Sequence, residues 1–167
     1  MQVLVVRHAV ALDRAEAADR GVPDSERPLT AEGRARMKQV ARGLAKRLPE
    51  VGALLSSPLL RARETAAILC ERYRGLDCTE SEALLPEAEP QALEQALLEH
   101  AQLGLVAVVG HEPHLSGWVS WCLTGEQRPL VVLRKAGACL LRFDGPVSAG
   151  GGQLQWLLTS ALARRLG

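Results

Sequence analysis

The sequence lacks the cysteine spacing, the charge excess and the long apolar runs that would assign it to several large classes of protein. No close C-x-x-C pair is present, so neither a zinc knuckle nor a dithiol redox motif is indicated. Buried thiols are expected instead at Cys70, Cys78, Cys122 and Cys139. A formal net charge of +1 gives no overall attraction to nucleic acid or to an anionic membrane. No apolar run reaches membrane-spanning length and no leader pattern opens the chain, so a cytoplasmic protein is expected.

The composition that is present is that of an ordinary globular chain. It has 167 residues, 47% hydrophobic and 23% charged, which is enough for one substantial core, and one domain over residues 1–167 is expected. Apolar runs of strand length alternate with segments of helical periodicity, which predicts an α/β fold with a doubly wound sheet. The expected strands lie at 3–6, 53–56, 77–79, 105–109, 138–143 and 154–158, and the expected helices at 31–48, 58–73, 91–101 and from 113 onward.

Two of the expected helices have recognisable starts. The segment 10–29 is charged and without periodicity, so a long connection is expected there, and Thr30 is predicted to cap the helix that follows it. Farther on, Ser57 is predicted to cap a helix that begins with Pro58, which places Arg61 in the first turn. A cation there is unfavourable beside the positive end of the helix dipole unless an anion binds at the same place. An exposed surface arginine is the alternative.

Basic residues also follow two of the predicted buried strands. Arg7 and His8 come at the end of the first strand, and His111 follows the strand that ends at 109. Ligands bind at the carboxyl ends of strands in open α/β sheets, although each position taken alone is compatible with an ordinary polar strand end. Pro113 separates His111 from His114 and spoils a helical ligand pair, so no metal is expected and His114 is interpreted as a structural or surface residue.

These separate features would meet in a doubly wound sheet. Arg7, His8, Arg61 and His111 all lie at a strand end or in the first turn of the following helix, so they would share one rim. The glycine-rich turn at 145–152 has no phosphate-loop pattern and indicates a hairpin. Two guanidinium groups and two imidazoles, without a serine triad or a metal cluster, form a pocket for a dianion and indicate phosphoryl chemistry.

At four places the chain resembles the histidine phosphatase superfamily, most closely its short SixA-like phosphohistidine phosphatase branch. The matching segments, in the order of the family, are Val6-Arg7-His8-Ala9, Arg27-Pro28-Leu29-Thr30, Ser57-Pro58-Leu59-Leu60-Arg61-Ala62-Arg63-Glu64-Thr65-Ala66 and Val109-Gly110-His111-Glu112-Pro113. The resemblance implies a three-layer α/β/α fold of the phosphoglycerate-mutase type, with a mostly parallel central sheet. It departs from the family at Ala9, where the superfamily usually has glycine, and the added methyl group is expected to narrow the pocket floor without removing a reacting group.

The resemblance also implies a role for each candidate site residue. His8 would be the phosphorylated nucleophile, and Arg7, Arg61 and His111 would hold the phosphoryl oxygens. Arg27 would lie beside them, by similarity to the short branch, and Ser57 is a further candidate for contact with substrate. Neutral His8 would attack phosphorus through one ring nitrogen while an acceptor holds the other, and water would then hydrolyse the intermediate. No metal or cofactor is expected, since the guanidinium groups supply the positive charge.

The leaving group favours one class of substrate. A phosphoimidazole releases imidazole, whose conjugate acid has a pKa of about 6.5, whereas an alkyl phosphate needs a general acid. Glu87, or Glu89 beside it, is a possible general acid, although a solvated loop glutamate is the simpler interpretation. The short chain leaves little length for a capping insertion, so the expected partner is a phosphohistidine-bearing protein such as a phosphotransfer domain, and not nucleic acid or a membrane. The residues do not determine the oligomeric state, and a monomer is the default expectation.

Two other functions stay open. A small-molecule phosphomonoesterase or mutase would use the same His8 with a working acid at Glu87 or Glu89. A non-catalytic phosphate-binding module is less favoured, because the sequence has both His8 and His111.

Overall fold

The computed structural model describes residues 1–76, 78–128 and 130–167 and shows one mixed sheet with helices on both faces. The strands are β1 (Gln2–Arg7), β2 (Ala53–Ser56), β3 (Cys78–Glu80), β4 (Leu105–Gly110), β5 (Ala138–Phe143) and β6 (Gly152–Leu158). The α-helices are α1 (Arg14–Asp19), α2 (Ala31–Arg47), α3 (Leu60–Arg72), α4 (Pro90–Leu98), α5 (His114–Thr124) and α6 (Ser160–Arg165), and short 3₁₀ helices cover Asp24–Glu26 and Glu82–Leu84.

The sheet has the strand order β3-β2-β4-β1-β5-β6. The first four strands in that order are parallel, and β5 and β6 join as an antiparallel hairpin. Arg7 pairs with Gly110, and Ser56 pairs with Val109, so β1, β4 and β2 end level with one another. This register places the residue after each strand at the same edge of the sheet.

Strand residues alternate between two apolar layers. One face of the sheet packs against α2, α3 and α6 in a buried cluster that includes Leu4, Val6, Met37, Leu44, Ala66, Leu69, Val109 and Ala163. The other face packs against α4 and α5 in a second cluster that includes Val3, Val5, Leu93, Leu97, Val108, Leu115, Trp118 and Leu141. The alternation follows the period of two along a strand, and it confirms the expected α/β/α layers with a mostly parallel sheet.

The segment 10–29 was wrongly expected to lack structure. Asp13 caps α1 through bonds from the backbone N–H groups of Ala15 and Glu16, and a 3₁₀ turn follows at Asp24–Glu26. Helix α1 has only six residues, which is too short for the periodicity of a longer helix to show in the sequence. Farther along, Leu12 N–H donates to the Pro28 carbonyl at 2.8 Å, so the segment closes on itself beside the sheet.

The predicted start of α2 is confirmed at Thr30. The Thr30 hydroxyl accepts from the Gly33 N–H at 2.9 Å, and the Thr30 N–H donates to the Val10 carbonyl at 3.0 Å. A Cβ atom on Gly33 would lie 2.1 Å from the Val10 carbonyl oxygen. Glycine at this position therefore lets the first turn of α2 pack directly on the backbone that follows β1.

The predicted start of α3 at Ser57 and Pro58 is wrong. Helix α3 begins at Leu60, its N-cap is Leu59, and no side chain caps it. The Ser57 hydroxyl instead approaches a histidine at the sheet edge, as described below. Arg61 nevertheless lies in the first turn of α3, as expected. Pro113 is likewise the N-cap of α5 and not its first residue.

Smaller differences concern the cysteines and one strand. Cys122 and Cys139 are buried, as expected, but Cys70 is half-buried and Cys78 is exposed, because β3 lies at the edge of the sheet. The strand predicted at 77–79 is found at Cys78–Glu80, and Asp77 lies outside the described residues. None of the helices in the described part of the chain combines the length and the apolarity needed to cross a bilayer.

Candidate active site

The level ends of β1, β2 and β4 bring His8, Ser57 and His111 together. The His8 N–H donates to the Gly110 carbonyl at 3.0 Å, and the Ser57 N–H donates to the Val109 carbonyl at 2.9 Å. These backbone bonds extend the parallel pairing by one residue beyond each strand. The rings of His8 and His111 face each other with centroids 5.0 Å apart and an interplanar angle of 50°.

His8 is held in one tautomer and in its neutral form. Its Nδ1 atom lies 2.7 Å from the Ala9 carbonyl oxygen, which can only accept, so Nδ1 carries the proton and Nε2 carries the lone pair. Burial lowers the pKa of His8 to about 3, the charges of Arg61, Arg7 and Lys135 act in the same direction, and the bond to Ala9 opposes them. The expectation that an acceptor fixes the second ring nitrogen is confirmed.

His111 is buried beside His8 and is also neutral. Burial lowers the pKa of His111 to about 2, with His8 and Arg61 acting in the same direction. Its Nε2 atom lies 2.8 Å from the Ser57 hydroxyl oxygen, while its Nδ1 atom has no hydrogen-bond partner among the described residues. Ser57 therefore orients the His111 ring, a contact that the sequence did not suggest for it.

Arg61 reaches the same edge from the first turn of α3. Its side chain is only 3% exposed, and its Nη1 and Nη2 atoms donate to the Asp24 carbonyl at 2.7 Å and to the Asp24 carboxylate at 3.2 Å. Burial lowers the pKa of Arg61, and Asp24 opposes that shift. Its Nε atom has no partner in the part of the chain that the structure describes.

Asp24 is the centre of a cluster of arginines that sequence reasoning missed. Besides Arg61, its carboxylate accepts from Arg27 Nε at 2.9 Å and from Arg14 Nε at 3.1 Å. Burial acts to raise the pKa of Asp24, but the three arginines outweigh it and the pKa is lowered. Arg27 also donates to the Leu12 carbonyl at 2.7 Å. Arg27 thus shares a carboxylate with Arg61, which places the two guanidinium groups close together.

Arg7 stands at the end of β1 and is held from one side. Its Nη1 atom donates to the Leu133 carbonyl at 2.8 Å, and its Nε atom is unpartnered within the described residues. Burial lowers the pKa of Arg7, whereas the nearby Glu112 raises it. Burial in turn raises the pKa of Glu112, against the effects of Ser116 and Arg7. Glu112 follows His111 directly in the sequence, but its interaction with Arg7 was not predicted.

Thr65 connects the backbone after β1 to the first turn of α3. Its hydroxyl accepts from the Ala9 N–H at 3.1 Å and donates to the Arg61 carbonyl at 2.7 Å, so it joins the end of β1 to α3. The Ala9 side chain is 1% exposed and belongs to the apolar cluster under α2 and α3. Its methyl group therefore packs into the core.

Glu87 and Glu89 lie on the loop before α4 and are exposed. They line a cavity of about 380 Å³ together with the buried His114. Burial lowers the pKa of His114, and the two carboxylates partly oppose that shift. The structure thus places Glu87 beside His114, in a cavity whose lining does not include His8, His111 or Arg61. Within the described residues, nowhere do three or more His, Cys, Asp or Glu side chains gather as metal ligands do.

The arrangement is suited to a tetrahedral dianion. A neutral imidazole with a free lone pair lies beside a second imidazole, and the half-buried Arg7 and the buried Arg61 each have a buried Nε–H without a partner in the described structure. Guanidinium and imidazole N–H groups bind phosphoryl oxygens, and a neutral histidine is a nucleophile toward phosphorus.

Comparison with known proteins points to one family. Residues 3–89 match the model of the histidine phosphatase superfamily (branch 1). The chain is 35% identical over 144 residues to an uncharacterized protein of Picosynechococcus sp., covering 85% of each chain. It is 30% identical over 167 residues to the phosphohistidine phosphatase SixA of Escherichia coli, covering 95% of this chain and 94% of that protein. The structure of the protein histidine phosphatase SixA complexed with tungstate superposes with a TM-score of 0.79 and 26% identity, covering 96% of this chain and 98% of that one.

Proposed function

The chain belongs to the histidine phosphatase superfamily, in its SixA-like branch, and we propose that this phosphatase hydrolyses phosphohistidine on a protein through a covalent phospho-His8 intermediate. The observation that carries the proposal is the state of His8. Its Nδ1 proton is held by the Ala9 carbonyl, its pKa is far below neutrality, and its ring faces His111. Such a histidine presents a lone pair on Nε2 at physiological pH without first losing a proton.

The reaction proceeds in two displacements at phosphorus. In the first, His8 Nε2 forms a bond to phosphorus while the bond from phosphorus to the substrate imidazole breaks, and the departing nitrogen takes a proton from water. In the second, water attacks the phosphohistidine and the P–N bond breaks. The proton that this water loses neutralises the hydroxide left by the first step, and inorganic phosphate leaves with His8 restored. Arg7 and Arg61 stabilise the charge on the equatorial oxygens in both steps. His111 donates a further hydrogen bond, and a bound dianion favours its protonated form.

A protein-borne phosphohistidine is the substrate that fits these residues best. An imidazole leaving group needs little assistance, so the reaction does not depend on a general acid among the exposed loop carboxylates. The E. coli relative bears the name phosphohistidine phosphatase, and the related solved structure holds tungstate, a tetrahedral oxyanion like phosphate. We propose that residues 1–167 form one cytoplasmic domain, which acts on a partner such as a phosphotransfer domain.

A substrate panel tests the proposal. Purified protein is given a phosphohistidine protein, a phosphohistidine peptide and sugar phosphates, and phosphate release is followed for the wild type and for His8→Ala. We expect kcat/KM on the phosphohistidine substrates to exceed that on sugar phosphates by at least about a hundredfold, the usual contribution of a general acid. We expect His8→Ala to be inactive on every substrate. Efficient turnover of sugar phosphates alone would overturn the choice of substrate while leaving the nucleophile in place.

A small-molecule phosphomonoesterase is the second candidate, and the position of Glu87 is the observation that favours it. Glu87 and Glu89 are exposed and line a cavity with His114, which follows His111 by three residues in the sequence. In this reaction one of the two carboxylic acids would have to protonate the departing alkoxide. Under this alternative, Glu87→Gln or Glu89→Gln would lose most activity on alkyl phosphates but would still form the phosphoenzyme from an activated phosphate. Glu99→Gln, an exposed position just after α4, is the matched control. Phosphate binding without any label transfer would instead favour a non-catalytic phosphate-binding module.

A further inference from the structure

A tight turn beside the nucleophile displays two cations that the proposed reaction does not use. The turn runs from Arg134 to Gly137, and it is closed by a bond from the Gly137 N–H to the Arg134 carbonyl at 2.7 Å. Ala136 in this turn has a φ of 55°, the one positive value found at a described residue other than glycine. A residue with a side chain is destabilised at such a φ, because the backbone conformation is sterically unfavourable. The conformation persists only where contacts with the surrounding structure hold the turn in place.

Those contacts are to the residues at the end of β1. The Ala136 N–H donates to the His8 carbonyl at 3.1 Å, and the Arg7 N–H donates to the Gly137 carbonyl at 3.1 Å. The side chain of Arg7 donates to the Leu133 carbonyl, the residue just before the turn. The backbone that carries Arg134 and Lys135 is therefore attached directly to the catalytic strand end.

The same residues line a cavity of about 350 Å³ whose wall is basic. Its charged lining residues are Arg7, Arg36, Arg134 and Lys135, and none of the described residues in its wall carries a carboxylate. Arg36 is paired with Glu32. In residues 1–76, 78–128 and 130–167, no carboxylate lies within 4.0 Å of a charged nitrogen of Arg134 or Lys135. Both side chains are exposed, so their charges are available to a second molecule.

We propose that Arg134 and Lys135 form a second anion subsite, which binds an acidic side chain next to the phosphohistidine of a protein substrate. The inference rests on the proposed function, because it concerns the partner of that reaction. A phosphoryl dianion is already matched by Arg7 and Arg61, so two further cations beside the same strand end exceed what it requires. Their exposure on a turn that is hydrogen-bonded to the end of β1 suits a group that arrives on the surface of another protein, since complementary charges at the rim of an interface raise the rate of association.

Paired peptides and a matched charge control test this subsite. Two phosphohistidine peptides differ only in Glu or Gln next to the phosphohistidine, and kcat/KM is measured for both at low and at high salt. The wild type is compared with Arg134→Gln/Lys135→Gln and with Lys46→Gln/Arg47→Gln. The control removes an adjacent exposed arginine and lysine at the far end of α2.

We expect the wild type and the control to prefer the Glu peptide by about fivefold, mainly through KM, and to lose the preference at high salt. We expect the Arg134→Gln/Lys135→Gln variant to show no preference at either salt concentration. Equal use of both peptides by the wild type, or an unchanged preference in that variant, would overturn the subsite. A small phosphate ester with and without a carboxylate is assayed as a further pair, and a preference confined to that pair would overturn the assignment of the subsite to a protein partner. If neither peptide is hydrolysed, the proposed function itself fails.

Discussion

Arg61 donates two hydrogen bonds to Asp24, one to its backbone carbonyl at 2.7 Å and one to its side-chain carboxylate at 3.2 Å. The two residues are 37 positions apart in sequence, and the contact joins the first turn of α3 to the 3₁₀ turn after α1. Arg27 and Arg14 share the same carboxylate, so one acidic side chain organises three guanidinium groups. Asp24 is thus a positioning residue, because it fixes the direction of a cation proposed to bind the phosphoryl group.

Replacement of that carboxylate tests its role. In Asp24→Asn, Arg61 keeps its bond to the backbone carbonyl but loses the ionic one, so we expect kcat to fall about tenfold with a smaller change in KM. Steady-state kinetics on a phosphohistidine peptide measure the effect. Asp19→Asn, at the exposed end of α1, is the control and should behave like the wild type. An unchanged or increased kcat in Asp24→Asn would show that Arg61 does not need this partner.

Ser57→Ala removes the hydroxyl that lies against His111 Nε2. The His111 ring then has no fixed orientation toward the phosphoryl group, and we expect kcat to fall about tenfold, as when a single hydrogen bond of the transition state is lost. Ser57→Thr keeps a hydroxyl group and is expected to recover most of the activity. If the alanine variant is as active as the wild type, or if threonine fails to restore activity that alanine has lost, Ser57 does not orient His111.

The contact between the segment 10–29 and α3 is expected to stabilise the folded protein. Glu64 accepts from the Leu29 N–H at 2.6 Å and also pairs with Arg34, so its carboxylate satisfies a backbone donor and a cation together. We expect Glu64→Ala to lower the free energy of unfolding by about 1 to 3 kcal/mol, measured by urea denaturation. Glu71→Ala, an exposed position on the same helix, should change it by less than about 0.5 kcal/mol. Equal effects at the two positions would contradict the assigned contact.

The four basic residues at the sheet edge could be predicted from the sequence, because strand ends and helix starts follow from local patterns. These residues are Arg7, His8, Arg61 and His111. Apolar runs located β1 and β4, and the residues after them are necessarily at the sheet edge, which brought His8 and His111 together. Asp24 could not be found in this way, because its partner Arg61 lies 37 positions away in the sequence and a short 3₁₀ turn has no periodic signature. Ser57 was misinterpreted as a helix cap, because its hydroxyl contacts His111, which lies 54 positions away in the sequence. Local patterns do not reveal such a tertiary contact. Lys135 was missed because the strained turn that positions it contains a non-glycine residue at positive φ, which sequence patterns do not indicate.

The neutral state of the two facing histidines gives a pH prediction. Both pKa values lie below the ordinary value, so the folded protein binds fewer protons than the unfolded chain below about pH 6.5. The free energy of unfolding should therefore fall as the pH is lowered from 7 to 5, by about 1 to 2 kcal/mol for each histidine.

Imidazole NMR signals measure this directly. In buffer without phosphate, the signals of His8 and His111 should not titrate between pH 8 and 5, and tungstate should move them toward the protonated form, because a bound dianion stabilises the imidazolium. The signals can be assigned by their loss in His8→Asn and His111→Asn. Titration of either residue near pH 6.5 in the ligand-free protein would contradict the burial that the structure gives them.

The most direct measurement is the trapping of the phosphoenzyme. Protein is mixed with a radiolabelled phosphohistidine donor, quenched in alkali within milliseconds, digested and sequenced by mass spectrometry. We predict one labelled peptide, phosphorylated on Nε2 of His8, with label that is lost in acid and stable in alkali. His8→Asn should carry none, while it still binds tungstate. Label on another residue, or phosphate release at the normal rate from His8→Asn, would contradict the central claim.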